Sequence, residues 1–163
     1  MNKNKKENLQ NKIVKEPKVT GIGGVFFKSK DTEQTKEWYA KNLGLATNQW
    51  GSTFEFRNAN HPNEINYLQW SPFKKESDYF LPSEKEFMIN YRVQNLEALV
   101  EKLKANGVQV LDEIVTYDYG KFVHIMDNDH NKIELWEPVD EVFTIETDRD
   151  AAIEVAAREL GEN

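Results

Sequence analysis

His124 and Glu134 are the two side chains whose types and spacing could carry acid/base chemistry. They flank the turn Asp127-Asn128-Asp129-His130-Asn131. If that turn is centred on Asp129, the strands on either side pair so that Met126 faces Lys132 and His124 faces Glu134. Directly opposed residues on one sheet face have Cβ atoms roughly 4.5–5.5 Å apart. A carboxylate beside an imidazole raises the histidine pKa and fixes the ring. Such a pair suits a general acid and base; it equally suits two half-buried polar groups that satisfy each other. A glutamate in an alternating strand also has a plainer role, facing solvent. His61 lies in the turn Asn58-Ala59-Asn60-His61-Pro62 and is expected to be exposed.

Several other chemistries are excluded. The chain has no cysteine, so it has neither thiolate nor disulfide. Gly21-x-Gly23-Gly24 lacks the Lys-Ser/Thr of a phosphate loop, and no Gly-x-Ser-x-Gly is present. The formal net charge of −7 argues against nucleic acid. No apolar run is long enough to span a membrane, and the N-terminus has no apolar signal core. The expected setting is cytoplasmic.

The elements that must position these residues follow from periodicity. Residues 1–18 carry six Lys against two Glu and read as a disordered, solvated leader. Val19 to Lys30 is strand-like. Asp31 or Thr32 caps a helix whose buried stripe is Trp38, Tyr39 and Leu43, and Gly44 stops it. Residues 45–58 and 65–70 read as strands, and 71–84 as an irregular linker. A strand from Phe87 to Val93 precedes a helix capped by Asn95, with Leu96, Leu99, Val100 and Leu103 at helical spacing. Val108 to Tyr117, Lys121 to Met126 and Lys132 to Glu137 are the last strands. Residues 139–163 carry eight acids against two Arg, with a short helix expected over 149–160.

These elements fall into two copies. Gly21 to Asp31, a helix, and Tyr67-Leu-Gln-Trp-Ser-Pro72 match Phe87 to Asn95, a helix, and Ile133-Glu-Leu-Trp-Glu-Pro138. A repeat of about 65 residues, occurring twice, is too long for a solenoid unit. The expected fold is α+β: two pseudo-repeated βαβββ modules forming a curved sheet around a concave cavity. The first module spans 19–72, the linker 73–85 and the second module 86–138.

The repeat, and above all the segment Gly120 to Trp136, resembles the vicinal oxygen chelate superfamily, which includes glyoxalase I, bleomycin- and fosfomycin-resistance proteins and extradiol dioxygenases. His130 replaces the glycine of the family's turn, where a positive φ is expected. Metal-using members place ligands on four inward strand positions. Counted in this chain, the resemblance puts those positions at Gly24, Leu68, Met88 and Glu134. Only Glu134 is a good donor, so no metal cofactor is expected; a rebuilt divalent-metal site from Glu86, His124 and Glu134 is the alternative. A two-residue shift would exchange Met88 for Glu86, and a one-residue shift would exchange Leu68 for Tyr67 or Gln69.

Pseudo-symmetry makes Phe26, Phe54 and Leu68 the apolar lining of the cavity, opposite Met88, Asn90, His124 and Glu134. Trp50, Tyr117 and Tyr119 are candidates for its rim, although aromatics at such positions more often belong to the core. A cavity that is mostly apolar with a few placed polar groups suits a small organic molecule. Its binding without a metal is the leading functional expectation, in a homodimer as the resemblance implies. A lyase or isomerase using Glu134 and His124 is the first alternative, and a metal-dependent glyoxalase or dioxygenase the next.

Overall fold

A computed structural model describes residues 14–144. Seven strands form one sheet: β1 (Lys18–Ser29), β2 (Ser52–Arg57), β3 (Ile65–Lys74), β4 (Phe87–Gln94), β5 (Val115–Tyr117), β6 (Gly120–Met126) and β7 (Lys132–Pro138). Their spatial order is β2-β3-β1-β4-β7-β6-β5. The first module supplies β2, β3 and β1, and the second supplies β4, β7, β6 and β5. The modules meet where β1 and β4 pair antiparallel, with Gly24 opposite Asn90. Outside this central pair, β3 runs parallel to β1 and β7 parallel to β4. The result is the expected α+β pseudo-repeat, with one strand fewer in the first module (βαββ) than in the second (βαβββ).

Helices α1 (Thr32–Leu43) and α2 (Leu96–Ala105) cover one face. Asp31 caps α1, its Oδ1 accepting the Gln34 N–H at 2.9 Å, and Gly44 ends the helix at φ 67°. Asn95 does not cap α2 with its side chain. The Glu137 carboxylate does so, accepting the N–H groups of Asn95 at 2.9 Å and Leu96 at 3.1 Å. Under α2 lies the main core: Val93, Leu96, Leu99, Val100, Val123, Ile125 and Leu135. Burying each such side chain contributes roughly 1.5–3 kcal/mol. This apolar face fixes the register, because a slip of one residue would turn every core side chain outward.

Three elements differ from expectation. The strand expected over 45–58 forms only from Ser52, with a single bridge from Asn48 to Gly51 before it. The strand expected over Val108–Tyr117 is broken: Val110 bridges to Ile125, and regular pairing resumes only at Val115. β3 continues through Pro72 to Lys74, into the expected linker. Pro72 is tolerated there because β2 pairs only as far as Trp70, so one side of β3 is free. The helix expected over 149–160 lies outside the described residues. Among the described residues, no helix is long and apolar enough to cross a membrane.

Candidate functional site

The face away from the helices carries the chemistry. The strand pairings lay out one row across it: Thr53, Gln69, Gly24, Asn90, Glu134 and His124. His124 and Glu134 are direct partners, as the turn implied, and their side chains meet: His124 Nε2 lies 2.8 Å from Glu134 Oε2. Glu134 is buried, its side chain 5% exposed. Its carboxylate also accepts from Asn90 Nδ2 at 2.6 Å and from the Tyr79 hydroxyl.

The other ring nitrogen of His124 is held as well. Nδ1 lies 2.6 Å from Asp112 Oδ2, and Asp112 Oδ1 accepts the His124 backbone N–H at 2.7 Å. Asp112 sits where the segment leaves β6: the Leu111 N–H still bonds the His124 carbonyl at 2.8 Å, and regular pairing resumes only at Val115. Two carboxylates on either side of an imidazole favour its cationic form, which can donate from both nitrogens. Burial alone would pull the His124 pKa down, but the hydrogen bonds to Glu134 and Asp112 outweigh it and the net shift is upward. Burial likewise pushes Glu134 up, yet the bonds from His124, Tyr79 and Asn90 hold it below the usual carboxylate range. The Tyr79 phenol is driven upward by burial and by the Glu134 charge, so it stays a donor.

Tyr79 and Asp112 were not among the sequence candidates. Tyr79 belongs to the segment that crosses from β3 to β4. Its ring stacks on Phe73 at 5.4 Å and 12° and meets His124 edge-on at 5.5 Å and 88°. Lys132 Nζ lies 5.3 Å from the ring centroid and donates to the Tyr79 carbonyl at 2.7 Å. Next to it, Phe80 is fully buried with Phe26 and Met88. The one hint in the sequence was an aromatic pair, Tyr79-Phe80, inside an otherwise charged linker. For Asp112, it was the pair Asp112-Glu113 interrupting an apolar strand pattern.

Several expected lining residues lie elsewhere. Trp70 packs on Phe27 and on Tyr39 of α1, so Leu68, two residues away, shares the helix face. Phe54 pairs with Leu68 and points the same way. Trp50 is 69% exposed and lies on the β2 side, away from the His124–Glu134 pair. Phe26 and Met88 are on the correct face, but Phe80 covers them. Gly24 leaves no vacancy, because a Cβ there would come within 2.7 Å of the Phe26 ring. Of the expected ligand-binding residues, only Asn90 joins the polar network.

Of the four expected inward positions, Gly24, Met88 and Glu134 lie on this face, with Asn90 beside Glu134; Leu68 lies on the helix face, and its neighbour Gln69 stands opposite Gly24 instead. A divalent metal of the kind the resemblance implies needs several oxygen or imidazole donors. Gly24 supplies none. Gln69 accepts from Thr53 at 2.8 Å and donates to Ser71 Oγ at 3.0 Å. Asn90 Oδ1 has no partner, but it faces Gly23, where even a Cβ would sit 2.3 Å away. Glu134 is committed to three donors. These residues do not fit such an ion. Nor does the Glu86 alternative assemble: Glu86 is exposed beside Lys75 at 3.9 Å. It lies four residues before Asn90, roughly 13 Å along an extended chain.

What remains open is a cavity of about 290 Å³ at the second-module end of the row. Tyr117, Tyr119 and Phe122 form its apolar side, and Asp112, His124 and Glu134 its polar floor. The Tyr117 and Tyr119 rings stack at 5.2 Å and 4°. The other end of the concave face is closed by a helical turn at residues 140–144. There Phe143 packs on Tyr67, Tyr119 and Trp136, and Arg92 pairs with Asp140.

Comparison with known proteins agrees with this architecture. Residues 21–135 match the family described as Glyoxalase/Bleomycin resistance protein/Dioxygenase superfamily. No curated protein matches the sequence. Among solved structures, methylmalonyl-CoA epimerase from Mycobacterium tuberculosis is 23% identical with a TM-score of 0.52, covering 77% of this chain and 93% of its own. A variant of the Streptomyces coelicolor methylmalonyl-CoA epimerase, in complex with 2-nitronate-propionyl-CoA, is 17% identical with a TM-score of 0.55, covering 75% and 99%. At these identities the likeness is one of fold.

Proposed function

Within the Glyoxalase/Bleomycin resistance protein/Dioxygenase superfamily, to which this chain belongs, we propose that it binds a small, flat organic molecule without a metal. The observation that carries this is the contrast between a saturated polar network and an open aromatic wall. Glu134 accepts from three donors, and both ring nitrogens of His124 are taken. A general base must be free to take a proton at the operating pH, and a buried carboxylate held below its usual range is a poor one. The stacked Tyr117–Tyr119 pair and Phe122, by contrast, offer ring faces to a ligand. At about 290 Å³ the cavity lies at the small end of ligand sites, roughly 300–1,000 Å³. Asp112, its side chain 44% exposed, supplies an accessible negative edge that favours a ligand bearing a cationic group.

The test is saturation-transfer NMR of the metal-free protein with a set of cationic, neutral and anionic aromatic compounds. Cationic compounds are expected to bind best and to lose affinity at least tenfold in Tyr119→Ala. Strictly metal-dependent binding, or affinity unchanged in Tyr119→Ala, would overturn the proposal. An acid/base enzyme would instead show a Glu134→Gln variant that folds and binds normally yet has lost turnover.

A further inference from the structure

Tyr79 has the geometry of a bound ligand. It comes from the crossing segment and not from the sheet, and the sheet receives it by its hydroxyl, its ring face and its ring edge. The hydroxyl donates to Glu134, the face lies on Phe73 and the edge meets His124. Around it the backbone is tied by local turns, Ser77 N–H to Lys74 O at 3.0 Å and Leu81 N–H to Asp78 O at 2.9 Å. The fully buried Phe80 anchors the segment independently. The Tyr79 side chain is 38% exposed as a residue and forms one wall of the aromatic cavity. Rotation about its Cα–Cβ bond would therefore open the subsite into that cavity without moving Phe80.

We infer that Glu134, Phe73 and His124 form a subsite for a hydroxylated aromatic ring, contiguous with the aromatic cavity, and that Tyr79 is its built-in occupant until a phenolic ligand displaces it. This rests on the proposed ligand-binding role and narrows it. The ligand class is a hydroxyaryl compound whose hydroxyl donates to Glu134 while the rest of the molecule lies against Tyr117, Tyr119 and Phe122. The arrangement also gives the three-way saturation of Glu134 a purpose. A carboxylate without Tyr79 would be short of a donor, so the empty protein supplies one from its own chain. Exchange of one phenol for another conserves every hydrogen bond.

The experiment uses the full chain and phenol itself as probe, with benzene as the comparator that lacks the hydroxyl. In Tyr79→Gly, phenol is expected to bind and raise the melting temperature, and benzene to bind roughly ten- to a hundredfold more weakly, because a hydrogen bond to a charged acceptor is missing. Adding Glu134→Gln should shrink that preference to a few-fold, because a neutral amide oxygen accepts more weakly than a carboxylate. Folded Tyr79→Gly protein that ignores phenol, or binds benzene equally well, would overturn the inference. If Tyr79→Gly does not fold, Tyr79→Phe serves. It keeps the ring but leaves Glu134 short of a donor, so phenol should bind it at least tenfold more tightly than the unaltered protein; equal affinity would overturn the inference. Tyr119→Ala separates the two proposals, since it removes the outer cavity wall and leaves the Glu134 subsite intact.

Discussion

Replacing Glu134 by glutamine keeps the side-chain volume and removes the charge on which three donors converge. In the native protein a carboxylate with 5% exposure faces the His124 ring at 2.8 Å, an ion pair whenever the ring is protonated. Removing one partner of a buried ion pair costs about 3–5 kcal/mol. Glutamine recovers part of this, because its amide oxygen still accepts one of the three bonds, leaving an expected loss of about 2–4 kcal/mol near pH 6. For a domain of this size that is about 4–16 °C in melting temperature. The loss should depend on pH with a definite sign. His124 has a folded pKa raised above its ordinary value of about 6.5, so its stabilisation is fully present below that value and disappears as pH rises through the folded pKa. Glu134 is lowered from 4.5, so its stabilisation is present above that value and disappears as pH falls through the folded pKa. The penalty of the substitution is therefore greatest between these limits and shrinks at alkaline pH. Urea denaturation at pH 6 and pH 9, with His124 followed by NMR titration in both proteins, measures all of this. A penalty below about 0.5 kcal/mol, or one equal at both pH values, would show that the pair is not coupled. So would a His124 pKa untouched by the substitution.

Asp112→Asn should lower the His124 pKa less than Glu134→Gln does, because solvent screens the half-exposed Asp112, and its stability cost should stay below about 1 kcal/mol; an NMR titration ranks the two. Glu137→Ala removes the side-chain cap that the described residues give α2 and should cost about 1 kcal/mol in a denaturant titration. No measurable loss would mean that the left-handed Asn95 turn suffices by itself.

Most elements were legible from period and punctuation, but the buried stripe expected of α1 was not: Trp38 and Leu43 are exposed, and Lys36 is the residue the helix buries. Leu96, Leu99 and Val100 mark the buried side of α2, Gly44 stops α1, and the turn around Asp129 fixes the pairing of His124 with Glu134 across a few residues. Local geometry was enough for that hairpin, so the core of the candidate site could be read before any fold was known. The first module was not so readable. Matching Trp70 to Trp136 looked natural, since each precedes a proline by two residues, yet Trp136 lies on the concave face beside Phe122 and Trp70 on the helix face against Tyr39. A strand's faces alternate, so that single-residue offset exchanged Leu68 for Gln69. Register irregularities in β1, between Val19 and Gly21 and between Ile22 and Gly24, break the alternation there as well.

Tyr79 and Asp112 were hidden for a different reason. Tyr79 meets Glu134 across 55 residues, and Asp112 reaches His124 from the point where its segment leaves β6, just after the Leu111 N–H bonds the His124 carbonyl. Neither contact has a period or a spacing, and both depend on irregular backbone laid over a regular sheet. The sheet presents the same row of positions whatever residues fill it, while the crossing segment and the Asp112 segment decide which of them stay open. In this chain they close the row's centre with a phenol and leave its end lined by Tyr117, Tyr119 and Phe122. Selectivity among ligands therefore resides in the segments that strand periodicity describes least.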